Sequence, residues 1–253
     1  MKRLPLSLMV CCLFPFLATA AETRDAKAVA LAHQVRLAMG GEQAWEQVHF
    51  VRFAFKVSKG NQVLGDRSHL WDKFSGRYRL EFTSKDGKRH VTLFNVNDHK
   101  GTAYVDGQAL TGPAGDKALQ DAYGAFINDM YWLAMPWKWL DPGVNLKYLG
   151  KRPLAGGQDD VVELSFGKVG LTPGDHYRAF ISPTSHLMTH WEYVLQSGDK
   201  GAWDWAYTES NGVKLGQNHT NTQGMSINMG TVKALSTVDD RFFTDPTTLV
   251  SLP

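Results

Sequence analysis

The sequence has very little cysteine. The only two, Cys11 and Cys12, lie in an apolar run close to the first residue, so a chain cleaved after that run has no thiol. This absence excludes a disulfide framework and thiol chemistry in the cleaved chain. The folded part must therefore be held together by its apolar core.

The apolar run itself predicts a signal peptide. A short positive segment precedes it, it spans residues 4–17, and the small residues Ala18 and Ala20 follow. This order is typical of a secretory signal. We expect residues 1–20 to be removed, with cleavage after Ala20 or one bond later. Residues 21–253 then form a single domain in the periplasm or outside the cell.

A lipid anchor is the alternative for the N-terminus. The segment "LMVC" places Leu8 three residues before Cys11, as in bacterial lipoprotein signals. Val10, however, is bulky where a small residue is expected, and the apolar run before Cys11 is short. We therefore predict a cleaved chain without an acyl group.

Excess charge of one sign and long apolar stretches are also missing. The full chain has 27 Lys plus Arg against 25 Asp plus Glu, and without Lys2 and Arg3 the balance is 25 against 25. Neutrality with dispersed charge gives no electrostatic footprint for nucleic acid, which we exclude as a partner. No later stretch reaches the roughly 18 apolar residues of a membrane-spanning helix.

Familiar catalytic motifs are absent. The sequence contains no G-x-S-x-G, H-E-x-x-H, P-loop or G-x-G-x-x-G, so common hydrolase and nucleotide-binding classes lose support. The carboxylates that could form an acid/base pair are Asp98, Asp141, Asp175 and Glu192. Asp141 and Asp175 lie in turns, where Asp commonly bonds its own backbone. A catalytic role for Asp175, His176 or Asp141 stays open as an alternative.

Histidine gives no support for a metal. His186 and His190 are four residues apart in a segment rich in strand formers, and four residues of strand separate two side chains by about 13 Å. His99, His176 and His219 fall among turns and strand ends, where solvated or locally bonded histidine is the common case. We predict neither a metal site nor a cofactor.

Period-two alternation dominates the chain. Val51, Phe53 and Phe55 alternate with less apolar residues, Leu80 and Phe82 repeat the pattern, and some nine further segments resemble strands. One helix is predicted over residues 23–39, and one or two helices over residues 115–135. The fold class is therefore mainly β (α+β), with a single curved antiparallel sheet whose one buried face carries Phe53, Phe55, Leu80 and Phe82 beneath these helices.

Aromatic residues are the most abundant unusual feature. In "AWDWAY" the rings of Trp203, Trp205 and Tyr207 share one strand face, and Trp191 and Tyr193 do the same one strand earlier. Such rings either fill a core or line a cavity with apolar walls and polar handles. The predicted ligand-binding residues are Trp132, Trp137, Trp139, Trp191, Trp203, Trp205 and Tyr207.

The segment "WLAMPWKWLDPG", residues 132–143, resembles part of a known bacterial fold family. With the helix and strand order it is similar to the half-barrel of bacterial outer-membrane lipoprotein carriers and sorting factors. Together with "LTPGDHYRAFISPTSHLMTHWEY" it also resembles a secreted bacterial family of unknown function with that fold. The resemblance implies a hydrophobic cavity for acyl chains between the sheet and the covering helices.

We therefore predict a periplasmic, non-enzymatic protein that shelters a lipid or other apolar small molecule. Two alternatives stay open: a hydrolase-like enzyme with acid/base residues at the mouth of the same cavity, and a structural envelope module whose aromatic faces are packed shut. A transient membrane or envelope-protein partner is compatible with the first prediction. The sequence does not predict the oligomeric state.

Overall fold

The structure is a computed structural model that describes residues 23–167 and 172–249. The predicted signal peptide and its cleavage site lie outside these residues. The strands are, in chain order, β1 (Phe50–Lys59), β2 (Gln62–Asp72), β3 (Arg77–Thr83), β4 (Arg89–Asn95), β5 (Gly101–Val105), β6 (Gln108–Ala109), β7 (Val144–Leu154), β8 (Gly157–Phe166), β9 (His176–Ile181), β10 (Met188–Val194), β11 (Lys200–Ser210), β12 (Val213–Thr220), β13 (Met225–Asn228) and β14 (Lys233–Leu235).

Four helices accompany the strands within the described residues. They are α1 (Ala26–Ala38), α2 (Glu42–Gln47), α3 (Gly112–Ala134) and α4 (Arg241–Thr244), and a short 3-10 helix, Met135–Lys138, continues α3. Asp25 caps α1 by accepting hydrogen bonds from the backbone amides of Lys27 and Ala28. None of the helices in the described part of the chain is both long and apolar enough to cross a membrane.

All fourteen strands belong to one open sheet, in the order β6-β5-β4-β3-β2-β1-β13-β12-β11-β10-β9-β8-β7, with β14 paired to the start of β1. Every named strand pair is antiparallel. The sheet does not close on itself, because β6 and β7 remain as its two edges. The predicted fold class, a curved antiparallel half-barrel with two covering helices, is confirmed.

The main core lies between one sheet face and the helices α1 and α3. Ala28, Leu31 and Val35 of α1 and Leu133 of α3 are buried there with Phe53 and other residues of the sheet. The first half of α3 covers a smaller cluster around Tyr78, Leu80 and Phe94. One long helix therefore covers both halves of the sheet. We call the sheet face beneath it the inner face.

The predicted helix and strand bounds need small corrections. The mid-chain helix begins at Gly112, three residues before the predicted start, and is continuous to Ala134. Strand β2 and the short helices α2 and α4 were not predicted from the sequence. Phe53, Phe55 and Leu80 are buried as predicted, whereas Phe82 is half-buried and stacks on His90.

The prediction of a single buried sheet face is wrong for part of the sheet. Residues 241–249, the C-terminal segment, pack on the outer face, where Phe243 joins Phe50 and Leu70 in a separate cluster. Arg79 of β3, which alternates with Tyr78 and Leu80, points to this outer face and is only 1% exposed. Its guanidinium donates to Glu81 and to the backbone carbonyls of Phe242, Asp245, Pro246 and Thr248.

Candidate ligand site

Neighbouring strands bring four ring side chains together on the inner face. Trp205 of β11 is paired with His219 of β12, and Trp203 of β11 is paired with Trp191 of β10. Residues directly opposite each other in an antiparallel pair point to the same face of the sheet. The four rings therefore form a patch, and all four are buried.

The indole of Trp132, on α3, lies over this patch. Its ring centroid is 4.8 Å from that of Trp191, 5.0 Å from Trp203 and 5.9 Å from Trp205. It is also 5.4 Å from the ring of His219. We call these five residues the inner ring group. Trp132 is its half-buried member.

Gly216 allows the helix to approach so closely. A Cβ atom on this residue of β12 would lie 2.6 Å from the carbonyl oxygen of Trp132 and 3.0 Å from the ring of His219. The first distance is shorter than real Cβ atoms show, and the atom in the way belongs to the backbone, which cannot rotate aside as a side chain can. Any larger residue at position 216 would therefore push α3 away from the sheet and separate Trp132 from the other rings.

The inner ring group contains polar atoms without hydrogen-bond partners. The indole nitrogens of Trp191, Trp203 and Trp205 are buried and unpaired, as are both ring nitrogens of His219. Leaving a buried donor unpaired costs about 1–3 kcal/mol. Several ring pairs meet edge to face, but an N–H directed at a ring face is a weaker contact than one directed at oxygen.

His219 is uncharged in this environment. Burial lowers the pKa of its imidazole to about 3, although the nearby backbone carbonyl of Trp132 acts to raise that pKa. The ring packs against Trp205 at 4.0 Å between centroids. The prediction of a solvated His219 is therefore wrong, because this residue, next to last in β12, directs its side chain to the covered inner face between Trp132 and Trp205.

An open groove lies on the same row of the sheet. It has a volume of about 280 Å³ and is lined by Phe55, Val57, Leu64, Gly65 and Arg67. Val57 is paired with Ile227, and Ile227 is paired in turn with His219. Two strand spacings, about 10 Å, therefore separate the groove from the inner ring group along one face.

The remaining predicted site residues have their polar atoms satisfied. The indole nitrogen of Trp137 donates to the carbonyl of Lys214 at 3.1 Å, and the ring stacks on Trp45. Trp139 is fully buried and donates to the sulfur of Met135. We call Trp45, Trp137 and Trp139 the corner ring group. Within the described ranges, no ring contact joins it to the inner ring group.

Tyr207 lies at the margin of the inner ring group. Its ring centroid is 6.5 Å from that of Trp205. Its hydroxyl donates to the backbone carbonyl of Met188 at 2.9 Å, and burial raises the pKa of this phenol far above its usual value. Of the seven predicted site residues, Trp132, Trp191, Trp203 and Trp205 therefore come together, Tyr207 borders them, and Trp137 and Trp139 lie apart.

A second polar feature under α3 is a buried network of hydrogen-bonded side chains. Asp129 of α3 lies 3.0 Å from Nε2 of His69, and the guanidinium of Arg67 donates to both of its oxygens, at 2.5 and 2.7 Å. Nδ1 of His69 is 2.8 Å from the hydroxyl of Tyr78. Burial lowers the pKa of His69. The contacts with His69 and Arg67 outweigh burial and lower the pKa of Asp129.

This chain of contacts connects the helix to the sheet rather than facing a substrate. His69 has a fully buried side chain, and both of its ring nitrogens face protein groups. It therefore has no nitrogen left to take a proton from a bound molecule. The same contacts fix the position of α3 on the inner face.

The candidate acid/base carboxylates are engaged locally. Asp175 accepts from the hydroxyls of Thr172 and Tyr177 and from the amide of Gln196. Asp141 pairs with Lys138. Asp98 accepts from the amide of Lys100, and Glu192 pairs with Arg178. His176 is exposed at the start of β9.

The histidines considered for a metal do not converge. His190 lies within β10 and contacts Asp204, whereas His186 lies in the preceding turn at a positive φ of 56° rather than on the strand. Among the residues that the structure describes, no group of three or more His, Cys, Asp or Glu is arranged to hold a metal ion.

Comparison with known proteins shows similarity in fold. The chain is similar to a DUF1329 family protein from Desulfovibrio piger, with 11% identity, a TM-score of 0.48 and coverage of 85% of this chain and 96% of that one. A LolA superfamily protein from Nitrosomonas europaea is similar at 11% identity and a TM-score of 0.47, over 85% of this chain and 96% of that chain. No protein-family model matches, and no curated protein matches in sequence.

These similarities are distant and concern the fold alone. What the candidate site can bind therefore depends on the side chains of this chain.

Sequence reasoning missed two features of the site. No motif in the sequence marks Asp129, and its partners Arg67 and His69 lie on the unpredicted strand β2. His219 follows an apolar–polar alternation in "GVKLGQNHT" that places it on the same face as Val213 and Leu215, both buried. A bulge between Ala206 and Tyr207 shifts the β11–β12 pairing. For this reason the alternation by itself does not predict that His219 lies opposite Trp205.

Proposed function

We propose that this protein binds an apolar molecule between the inner face of the sheet and α3. The observation that carries the proposal is the inner ring group, in which the buried indole nitrogens of Trp191, Trp203 and Trp205 lack partners. A core selected only for stability normally pairs such atoms or replaces them with carbon. A binding site retains them because a ligand supplies the partner.

In this proposal the groove is the entrance for the ligand, because it lies on the same face of the sheet as the rings. Phe55 and Val57 form its apolar wall on the same face as His219. Leu64, which lines the groove, and its neighbour Val63 are 49% and 50% exposed. An apolar ligand entering here crosses from one apolar surface to the next. Trp132 is the half-buried ring over the patch, so it is the ring that turns outward to admit the ligand.

The place of action is proposed to be the bacterial periplasm, on the basis of the predicted signal peptide. The protein would act there without chemistry, since Asp129 and His69 face each other and Asp175 is held by its own loop. A membrane lipid or another apolar small molecule is the ligand class, and any membrane or envelope-protein partner would be transient.

Binding of a fluorescent apolar probe tests this function. Phenylnaphthylamine should bind the wild-type protein with an increase in fluorescence. Trp205→Ala should weaken that binding because the ligand loses much of its buried apolar contact. Trp139→Ala is the matched control, since it removes the same side chain from the corner ring group. It should leave the affinity of the folded protein unchanged. A wild type that binds no probe contradicts the proposal.

A further inference from the structure

The unpaired atoms of the inner ring group specify what kind of ligand fits. An indole nitrogen carries a hydrogen and can only donate. Trp191, Trp203 and Trp205 therefore present three donors and no acceptor at their polar atoms. His219 adds one donor and one acceptor as a neutral imidazole. A ligand that satisfies the group has to bring acceptor atoms, which a pure hydrocarbon does not have.

Charge is absent from the group. Asp204, which stands between Trp203 and Trp205 in β11, is exposed on the opposite face and contacts His190 at 2.8 Å. The cations that lie over rings in the described residues are on Tyr148, Phe55, Trp45, Phe74 and Phe243, outside the inner ring group. A charged ligand group placed among these rings would lose its water without gaining a counter-ion.

From these two observations we infer that the ligand is an uncharged apolar molecule with carbonyl oxygens, of the ester, ketone or quinone type, whose oxygens accept from the indole N–H groups of Trp191, Trp203 and Trp205. This inference rests on the proposed function and narrows it. A carbonyl oxygen has two lone pairs and little cost of desolvation compared with a carboxylate. Such an oxygen can accept from two of the neighbouring donors at once.

A set of competitors that differ only at one end tests the inference. Undecanone, undecane, undecanoate and undecylamine would each be used to displace phenylnaphthylamine from the wild-type protein. Undecanone should compete at least about tenfold better than undecane, as expected for one or two hydrogen bonds made in a dry site. Undecanoate and undecylamine should compete less well than undecanone, because neither finds a counter-ion.

A matched pair of variants places the effect in the inner ring group. Trp205→Phe keeps a ring but removes the donor, so it should reduce the preference for undecanone over undecane several-fold. Trp139→Phe should keep the wild-type preference, because the indole N–H that it removes donates to Met135 and is not available to a ligand. If undecane competes as well as undecanone, or if undecanoate competes best, the inferred ligand class is wrong although apolar binding stands. If no probe binds, both the inference and the proposed function fail.

Discussion

The inner ring group and the corner ring group both consist mainly of tryptophan, but they differ in whether the indole nitrogens have hydrogen-bond partners. Trp137 and Trp139 of the corner ring group donate to Lys214 and Met135. Trp191, Trp203 and Trp205 of the inner ring group are about as buried, yet their nitrogens have no partner. Burial alone therefore does not distinguish the two groups, whereas the hydrogen bonding of the indole N–H does.

The largest expected difference between the groups is in stability. Trp139→Ala should lower the free energy of unfolding by about 3–5 kcal/mol, because the ring is completely buried and fully packed. Trp132→Ala should cost clearly less, because Trp132 is only half-buried. Urea unfolding of the two variants measures both values. Equal losses would remove the distinction between the groups.

The next effect concerns pH and sets His219 apart from every ring in the corner ring group. Its folded pKa of about 3 lies below the value near 6.5 of an unfolded chain. Between these values the unfolded state binds more protons, so stability falls as the pH is lowered. From pH 6.5 to pH 5 the contribution of His219 is a loss of about 2 kcal/mol.

Substitution with phenylalanine isolates that contribution. Over this pH interval the free energy of unfolding of His219→Phe should fall by about 2 kcal/mol less than that of the wild type. Denaturant titrations at each pH measure both values. The buried His69 contributes to the acid sensitivity of both proteins, so it cancels in the difference. Parallel curves for wild type and variant would show that His219 is not buried in its neutral form.

The smallest expected effect comes from removing single N–H groups. Trp137→Phe breaks a hydrogen bond to the carbonyl of Lys214 and should cost about 1 kcal/mol beyond the lost ring area. Trp203→Phe removes an unpaired donor, so without ligand it should cost less than the change at 137. Thermal unfolding without ligand resolves the order. A larger loss at 203 would mean that its N–H is already satisfied.

The sequence predicted the framework of the fold well, because alternation and helical spacing are local signals. It placed β1, the strands from β3 to β5 and from β7 to β12, the two long helices and the antiparallel arrangement, and it took β13 and β14 as one segment. It missed β2, where Gly65, Asp66 and Arg67 interrupt the apolar pattern. That segment becomes a strand through pairing along nearly the whole of β1. Tertiary contact there overrides local preference.

The site was predicted only in part, and for a physical reason. Composition and strand spacing indicated which rings share a face, and four of the seven predicted residues meet in the inner ring group. Whether an indole N–H finds an acceptor depends on distant residues such as Lys214, 77 positions from Trp137. Arg79 is a similar case, because a segment more than 160 residues later covers it. Neither contact can be predicted from the local sequence around Trp137 or Arg79.

The indole N–H resonances of isotope-labelled tryptophan test the central claim most directly. On titration with undecanone, the signals of Trp191, Trp203 and Trp205 should move downfield, as expected when an oxygen begins to accept from each hydrogen. The signals of Trp137 and Trp139 should stay in place, because their hydrogens are already bound. Assignment follows from single Trp→Phe variants. Shifts confined to the corner ring group, or no shift in any indole, would contradict the account.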